Sequence, residues 1–306
     1  KPFFHETFWY KTAVPMISRA VPEAKDILKN LSPACFYART NYDGSYGASL
    51  ADKSLLLTMM LKKSETGLIL LENLTLREKK KCHLVDKNVV MSVEYVKASL
   101  KALAHFHGSW WKFFKVGNFE AEGFTRETLY RIFANNVPPT FFKSMAVGTA
   151  ESVIEFLKVR RADDDLVRRF SEFSKTTMLT DMFRYYFNAS ADPPTSRIIT
   201  VCHGDFWSNN VMFVSDDASE PEAVIIDYQM MYRGHPAVDI GYLIHVNTDA
   251  EFRMNRLDEC LRHYFDTFRT YLTPDVPMTY DEFRTEFDQR RSVGLILGGL
   301  QVMPNV

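Results

Sequence analysis

The sequence predicts an α+β fold: a mostly helical body around a small strand cluster. Three observations carry that expectation. Apolar residues recur every three or four positions between Asn88 and Trp111, the mark of a helix with one buried face. Three short β-branched or apolar runs lie between Arg197 and Ile226. After Pro236 the helical pattern returns and continues through Leu297.

Taken in order, Phe3 to Ala13 reads as a helix closed by Pro15, and Ala34 to Arg39 as a short strand. Asn41 to Gly47 is turn-rich, and Leu68 to Leu71 is a buried strand that runs into a connector. The stripe Val89, Val93, Val96, Leu100, Leu103 and His107 defines the long helix from Asn88. Helices are expected at Thr149–Arg160 and Asp165–Tyr186, with Asp163, Asp164 and Asp165 suited to the positive end of the second. Arg197–Val201, Val211–Val214 and Ala223–Ile226 are the strands, and Ala237–Val246, Glu251–Tyr271 and Asp281–Leu297 the closing helices. Residues suited to chemistry cluster at the strand ends.

Composition sets the class. Hydrophobic residues make up 46% of the 306 and charged residues 25%, the balance of a soluble globular enzyme. With 24 Phe and 14 Tyr, a ring-rich core is expected, in which Met230 and Met231 also pack. The net charge of −1 supplies no field toward nucleic acid or membrane. The basic run Arg77–Lys81 reads as a solvated loop. The longest apolar stretch, Val293 to Met303, holds three glycines and falls short of the roughly 20 residues that span a bilayer. Cys35, Cys82, Cys202 and Cys260 have no metal-like spacing, and free thiols without a secretory segment point to a cytoplasmic protein. His105 and His107 read as packed helix residues rather than a metal site.

The chemistry concentrates in His203-Gly204-Asp205-Phe206-Trp207-Ser208-Asn209-Asn210 and Ile226-Asp227-Tyr228-Gln229. Phosphoryl transfer needs a divalent metal to neutralise phosphates and a carboxylate to take the proton of the attacking hydroxyl. Asp205 can act as that base. Five residues on, Asn210 offers an amide oxygen to a metal, and Asp227 follows the next strand pair. An isolated His-Gly-Asp carries little weight. Strand, HGDFWSNN, strand, polar hairpin and an apolar run ending in IDYQ together specify a phosphotransferase-type site.

These motifs resemble the CHK kinase-like (ecdysteroid kinase-like) family, relatives of choline kinases and aminoglycoside phosphotransferases. The family's HGDxWxNNxMF pattern is met by His203 through Phe213, and its IDFQ by Ile226-Asp227-Tyr228-Gln229 with Tyr in place of Phe. Asp239-Ile240 and the run Leu103–Ser109 match further segments, so the resemblance covers nearly the whole chain. It implies a protein-kinase-like fold and use of ATP with magnesium (Mg2+). It also implies Asp205 as catalytic base, His203 orienting the catalytic loop, and Asn210 and Asp227 holding metal. Asp239 would brace the loop through backbone hydrogen bonds. Leu71-Glu72-Asn73-Leu74 matches the hinge that meets adenine, and Glu6 matches the helix glutamate that pairs with a phosphate-binding lysine.

In kinase order a glycine-rich loop and a lysine-bearing strand precede the helix of Glu6, so they are expected upstream of Lys1. Residues 1–74 then form the remnant of an N-terminal lobe and 75–306 the catalytic and substrate lobe. Gly44-Ser45-Tyr46-Gly47, with Lys53 after it, reads as a plain loop. The apolar, glycine-rich segment Ser292–Val306 suggests that helix continues beyond the end. No protein-kinase HRD or APE segment is present. The expected activity is therefore phosphorylation of a small-molecule alcohol, an ecdysteroid or similar. The alternative is a non-catalytic kinase-like binding protein or an inactive fragment.

Overall fold

The computed structural model describes residues 2–40, 67–76, 82–86, 89–133, 139–181, 196–214 and 220–302. The runs 41–47, 77–81 and 215–219, Lys53 and the helical stretch expected at 182–186 lie outside these residues.

The chain opens with α1 (Pro2–Phe8), a π-helical turn (Trp9–Ala13) and α2 (Val14–Ala20), one continuous rod. Pro15 does not end it, against expectation. The π turn sends the Val14 N–H to the Trp9 carbonyl, which widens the helix by one residue just before the proline ring arrives. Helix α3 (Lys25–Leu31) leads to the antiparallel pair β1 (Cys35–Thr40) and β2 (Gly67–Leu71), both close to the expected strands in extent. Strand β2 is not buried as expected: with β1 as its one partner strand among the described residues, Leu70 is exposed. Strand β3 (Cys82–His83) follows.

The long helix α4 spans Val93–Val116 and starts later than its apolar stripe predicts. The Val89 N–H closes a turn on Asp86, and Met91 bonds the carbonyl of Asn247, so this stretch is tied elsewhere. Val89 is accordingly exposed, while Val96, Leu100, Leu103 and His107 are buried. Helices α5 (Arg126–Ile132), α6 (Pro139–Val159), α7 (Asp164–Lys175) and α8 (Thr177–Asp181) come next. Asp163 caps α7 by accepting from the Asp165 N–H at 2.7 Å.

Strand β4 (Thr200–Cys202) begins three residues after Arg197, because Ser196 turns the chain by accepting the Ile198 N–H. The hairpin β5 (Val211–Val214) and β6 (Glu222–Ile225) is antiparallel, with β3 on its outer edge, and β7 (Tyr232–Gly234) pairs with β4. Helices α9 (Ala237–Asn247), α10 (Ala250–Phe268) and α11 (Tyr280–Val302) close the fold. Helices α9 and α11 cross at bare backbone: a Cβ on Gly294 would lie 2.5 Å from the Tyr242 nitrogen.

One core joins α1–α3, α4 and α10 to the strand cluster, and its interior is aromatic as predicted. Trp9 stacks on Tyr228 at 4.4 Å between ring centres. Ser32 accepts from the Trp9 indole at 3.1 Å and bonds the Tyr228 hydroxyl at 2.6 Å, so both polar tips are satisfied in the dark. Of the two methionines expected in the core, Met231 is buried but Met230 is exposed. All four cysteines are free. Among the described residues no helix is long and apolar enough to cross a membrane.

Candidate active site

Strand β4 delivers the chain into the loop His203–Asn210, which ends in a tight 3-10 turn, Ser208–Asn210, before β5. The register of the β5–β6 hairpin sets Val211 opposite Ile225. Ile226 therefore donates its N–H to the Asn210 carbonyl at 3.0 Å, and Asp227 emerges beside Asn210 although 17 positions separate them in sequence.

The loop is held from behind by Asp239, in the first turn of α9. One carboxylate oxygen accepts the His203 N–H at 2.6 Å, the other the Gly204 N–H at 3.0 Å. The His107 imidazole adds Nε2–H at 3.1 Å, and its Nδ1 accepts from the Tyr264 hydroxyl at 2.9 Å. Asp239 and His107 are fully buried, and burial holds the imidazole below its usual range. A buried carboxylate with three donors is tolerated where an unpaired one would not be. His107, Cys202 and Asp239 place ligand-type atoms within 4.8 Å of one another. Each already has a protein partner, the Cys202 thiol donating to the His235 carbonyl, so the group is a hydrogen-bond network. His105 packs likewise, on the Tyr271 hydroxyl at 2.8 Å.

Gly204 has φ +87°, and a Cβ there would sit 2.2 Å from the Met230 carbonyl oxygen. The loop can approach the Tyr228–Met230 turn this closely only with glycine at that position. His203 donates Nε2–H to the Ile226 carbonyl at 3.0 Å and accepts the Asp205 N–H on Nδ1 at 3.4 Å. Both ring nitrogens are engaged, which suits orientation of the loop rather than proton transfer.

Asp205 projects from this frame. Its Oδ1 accepts from the Tyr242 hydroxyl at 3.0 Å and its Oδ2 from Asn210 Nδ2 at 2.9 Å. Asn210 Nδ2 also reaches the Asp205 carbonyl at 2.8 Å, which leaves the amide oxygen for another partner. Asp227 has left-handed backbone, φ +64°, and its carboxylate accepts from the Gln229 N–H and side-chain amide. Burial pushes the Asp227 carboxyl up, and the charge of Asp205 adds to the shift. An amide oxygen beside a charge-crowded carboxylate is a hard-oxygen donor set, so the residues present fit magnesium.

A cleft of about 430 Å³ opens at Asp227, lined by Glu6, Glu72, Asn73, Leu74, Met212 and Ile226 among others. Every cofactor-side residue expected from sequence thus faces one space with Asp227, whereas Asp205, Asn210 and His203 lie on the adjoining loop. Glu72 is committed locally: its N–H bonds the Ala34 carbonyl at 2.8 Å and its carboxylate takes the Ala34 N–H at 3.1 Å. Asn73 caps the Thr75 turn. Burial, then the charge of Asp227, raises the Glu6 carboxyl from 4.5 to about 7.

The model of the ecdysteroid kinase-like family matches residues 1–274. The chain belongs to this family. With the observed order of elements, membership makes the fold of this ecdysteroid kinase-like protein protein-kinase-like, α+β and mostly helical. Among solved structures it is similar to an ethanolamine kinase of Plasmodium vivax, at 13% identity and a TM-score of 0.40, over 95% of this chain and 67% of that one. No curated protein matches. Two hydrogen-bond partners escaped the sequence reading, Tyr242 on Asp205 and Gln229 on Asp227. The signal for Tyr242 was present: it stands three residues after Asp239 on one helix, hence on the same face.

Proposed function

We propose that this chain is an ATP-dependent phosphotransferase acting on a hydroxyl of a small molecule, an ecdysteroid or similar alcohol. One observation carries the reading. Asp205 is held at both carboxylate oxygens, and Asn210, which holds one of them, is tied across the hairpin to the segment bearing Asp227. A fixed carboxylate next to hard-oxygen donors is what a phosphoryl acceptor site requires.

On this reading the nucleotide lies in the cleft of Glu6, Glu72–Leu74 and Asp227. Residues 1–74 supply most of that wall, and residues 75–306 supply the loop and the acceptor side. Glu72 and Asn73 have committed side chains, so backbone groups of this connector meet the base. Magnesium, when bound by Asn210 Oδ1 and Asp227, supplies charge neutralisation for the phosphates. Asp205 accepts the proton of the alcohol as its oxygen bonds to the terminal phosphorus, and the bond to the leaving ADP oxygen breaks. His203 and Asp239 keep the loop in place without exchanging protons.

The test is turnover of ecdysone with ATP and magnesium by wild type and Asp205→Asn. Loss of a general base costs about 10²–10⁴-fold in rate. Retained turnover in the variant would remove Asp205 from the chemistry. A wild type that is stabilised by neither nucleotide nor ecdysone in thermal melts, and transfers no phosphate, would refute the reading as a whole.

A further inference from the structure

We infer that Tyr242 is a positioning residue for the reaction, fixing the orientation of the Asp205 carboxylate through its hydroxyl. The inference rests on the reading of Asp205 as the base. It starts from α9, where Asp239 and Tyr242 are three residues apart and so point the same way. Asp239 holds the loop backbone at His203 and Gly204. One turn later, Tyr242 holds the loop's reactive side chain, O–H to Oδ1 at 3.0 Å. A single helix turn thereby sets both the position of the loop and the rotation of its carboxylate.

Without Tyr242, one hinge would remain. Asn210 Nδ2 contacts Oδ2 and the Asp205 carbonyl, which fixes one carboxylate oxygen but leaves the group free to swing about it. The tyrosine closes that rotation and occupies one lone pair of Oδ1, leaving the second to receive a proton from an alcohol. The donor is permanent. Tyr242 is 2% exposed, and burial together with the Asp205 charge pushes its ionisation far above the usual range. It can hold a carboxylate but not replace it as base. Geometry of this kind affects the rate of reaction more than affinity, because it places the acceptor atom and makes no contact with the nucleotide cleft.

Tyr242→Phe deletes one oxygen and retains the ring that packs in the core. Phosphate transfer from ATP with magnesium is followed with ecdysone as acceptor and, separately, with water alone. Each variant is assayed ten or so degrees below its own melting midpoint, so that loss of folded protein does not enter. The expected result is a kcat lower by about tenfold to a hundredfold, the effect of one hydrogen bond to a charged group. KM for ecdysone, KM for ATP and the calorimetric affinity for Mg-ATP stay within about twofold of wild type. In single turnovers, Tyr242→Phe adds no further loss once Asp205→Asn is present. A kcat within about twofold of wild type, a loss carried by KM, or full additivity with Asp205→Asn overturns the inference. In those cases Asp205→Asn alone still reports on the base: an inactive single variant keeps the reading of Asp205 and rejects Tyr242, whereas an active one rejects both.

Discussion

Asp239→Asn asks how much one buried carboxylate contributes to the loop it braces. Oδ2 accepts from His203 at 2.6 Å and from His107 at 3.1 Å, and Oδ1 from Gly204 at 3.0 Å. An amide has only one oxygen. If it replaces Oδ2, the new NH2 faces Gly204, a single backbone N–H, and that orientation is the cheaper. The Gly204 N–H is then left without an acceptor, at about 1–3 kcal/mol. The two surviving bonds lose their charge assistance, roughly another 1 kcal/mol each. Removing a buried charge offsets part of this, so a net loss of about 2–4 kcal/mol is expected. Domains of this kind hold about 5–15 kcal/mol, so the variant folds. Equilibrium urea unfolding should show the midpoint falling by about 1 M with an unchanged slope. A loss below about 1 kcal/mol with undiminished turnover would refute the bracing role.

Two further outcomes follow from the cleft. Gly204→Ala places a Cβ 2.2 Å from the Met230 oxygen at φ +87°, adding the roughly 1–2 kcal/mol of a left-handed L-residue to a backbone clash. Its melting temperature and Mg-ATP affinity should both fall, and unchanged affinity by calorimetry would show that the Asp227 turn does not depend on this contact. Glu6→Gln should stabilise the chain at pH 8 relative to wild type but not at pH 5, in urea titrations with chelator present. The folded carboxyl, raised from 4.5 to about 7, binds more protons than the unfolded one within that window, so wild-type stability falls as pH rises through it. At 1.36 kcal/mol per unit, roughly halved for a partly exposed group, the difference is about 1–2 kcal/mol. Equal pH profiles for the two proteins would contradict the burial of this charge.

What was legible in the sequence is what is local. Asp205 and Asn210 share one loop, and the two strands that bring Asp227 beside them are adjacent in the chain, so motif and hairpin register alone place three oxygens together. Positions decided by distant partners were misread. Pro15 is the local exception: it looked like a helix end, yet the immediately preceding π turn accommodates it. Val89 fitted the apolar stripe of α4, but the bond from Met91 to Asn247, far along the chain, pulls that segment out of the helix. His107 gave no hint that it would meet a carboxylate 132 residues away. Met230 fitted a core pattern, while its carbonyl is needed against Gly204 and its side chain is left outside.

The two sides of the loop are under opposite electrostatic conditions. Behind it, Asp239 is fully buried and receives three donors, so its charge is satisfied before any ligand arrives. In front, burial pushes the Glu6 and Asp227 carboxyls up, with the charge of Asp227 adding to the shift at Glu6 and that of Asp205 to the shift at Asp227. Removing charge behind the loop should therefore weaken the fold, while removing it in front should strengthen it. On the proposed function the frontal cost has a purpose. A divalent cation at Asn210 and Asp227 would relieve repulsion that the free protein cannot, so binding and stabilisation would be one event, growing as RT ln(1 + [L]/Kd). The rear network fixes the loop backbone at His203 and Gly204, so the Asp205 charge that adds to the crowding at Asp227 is held in place until the cation arrives.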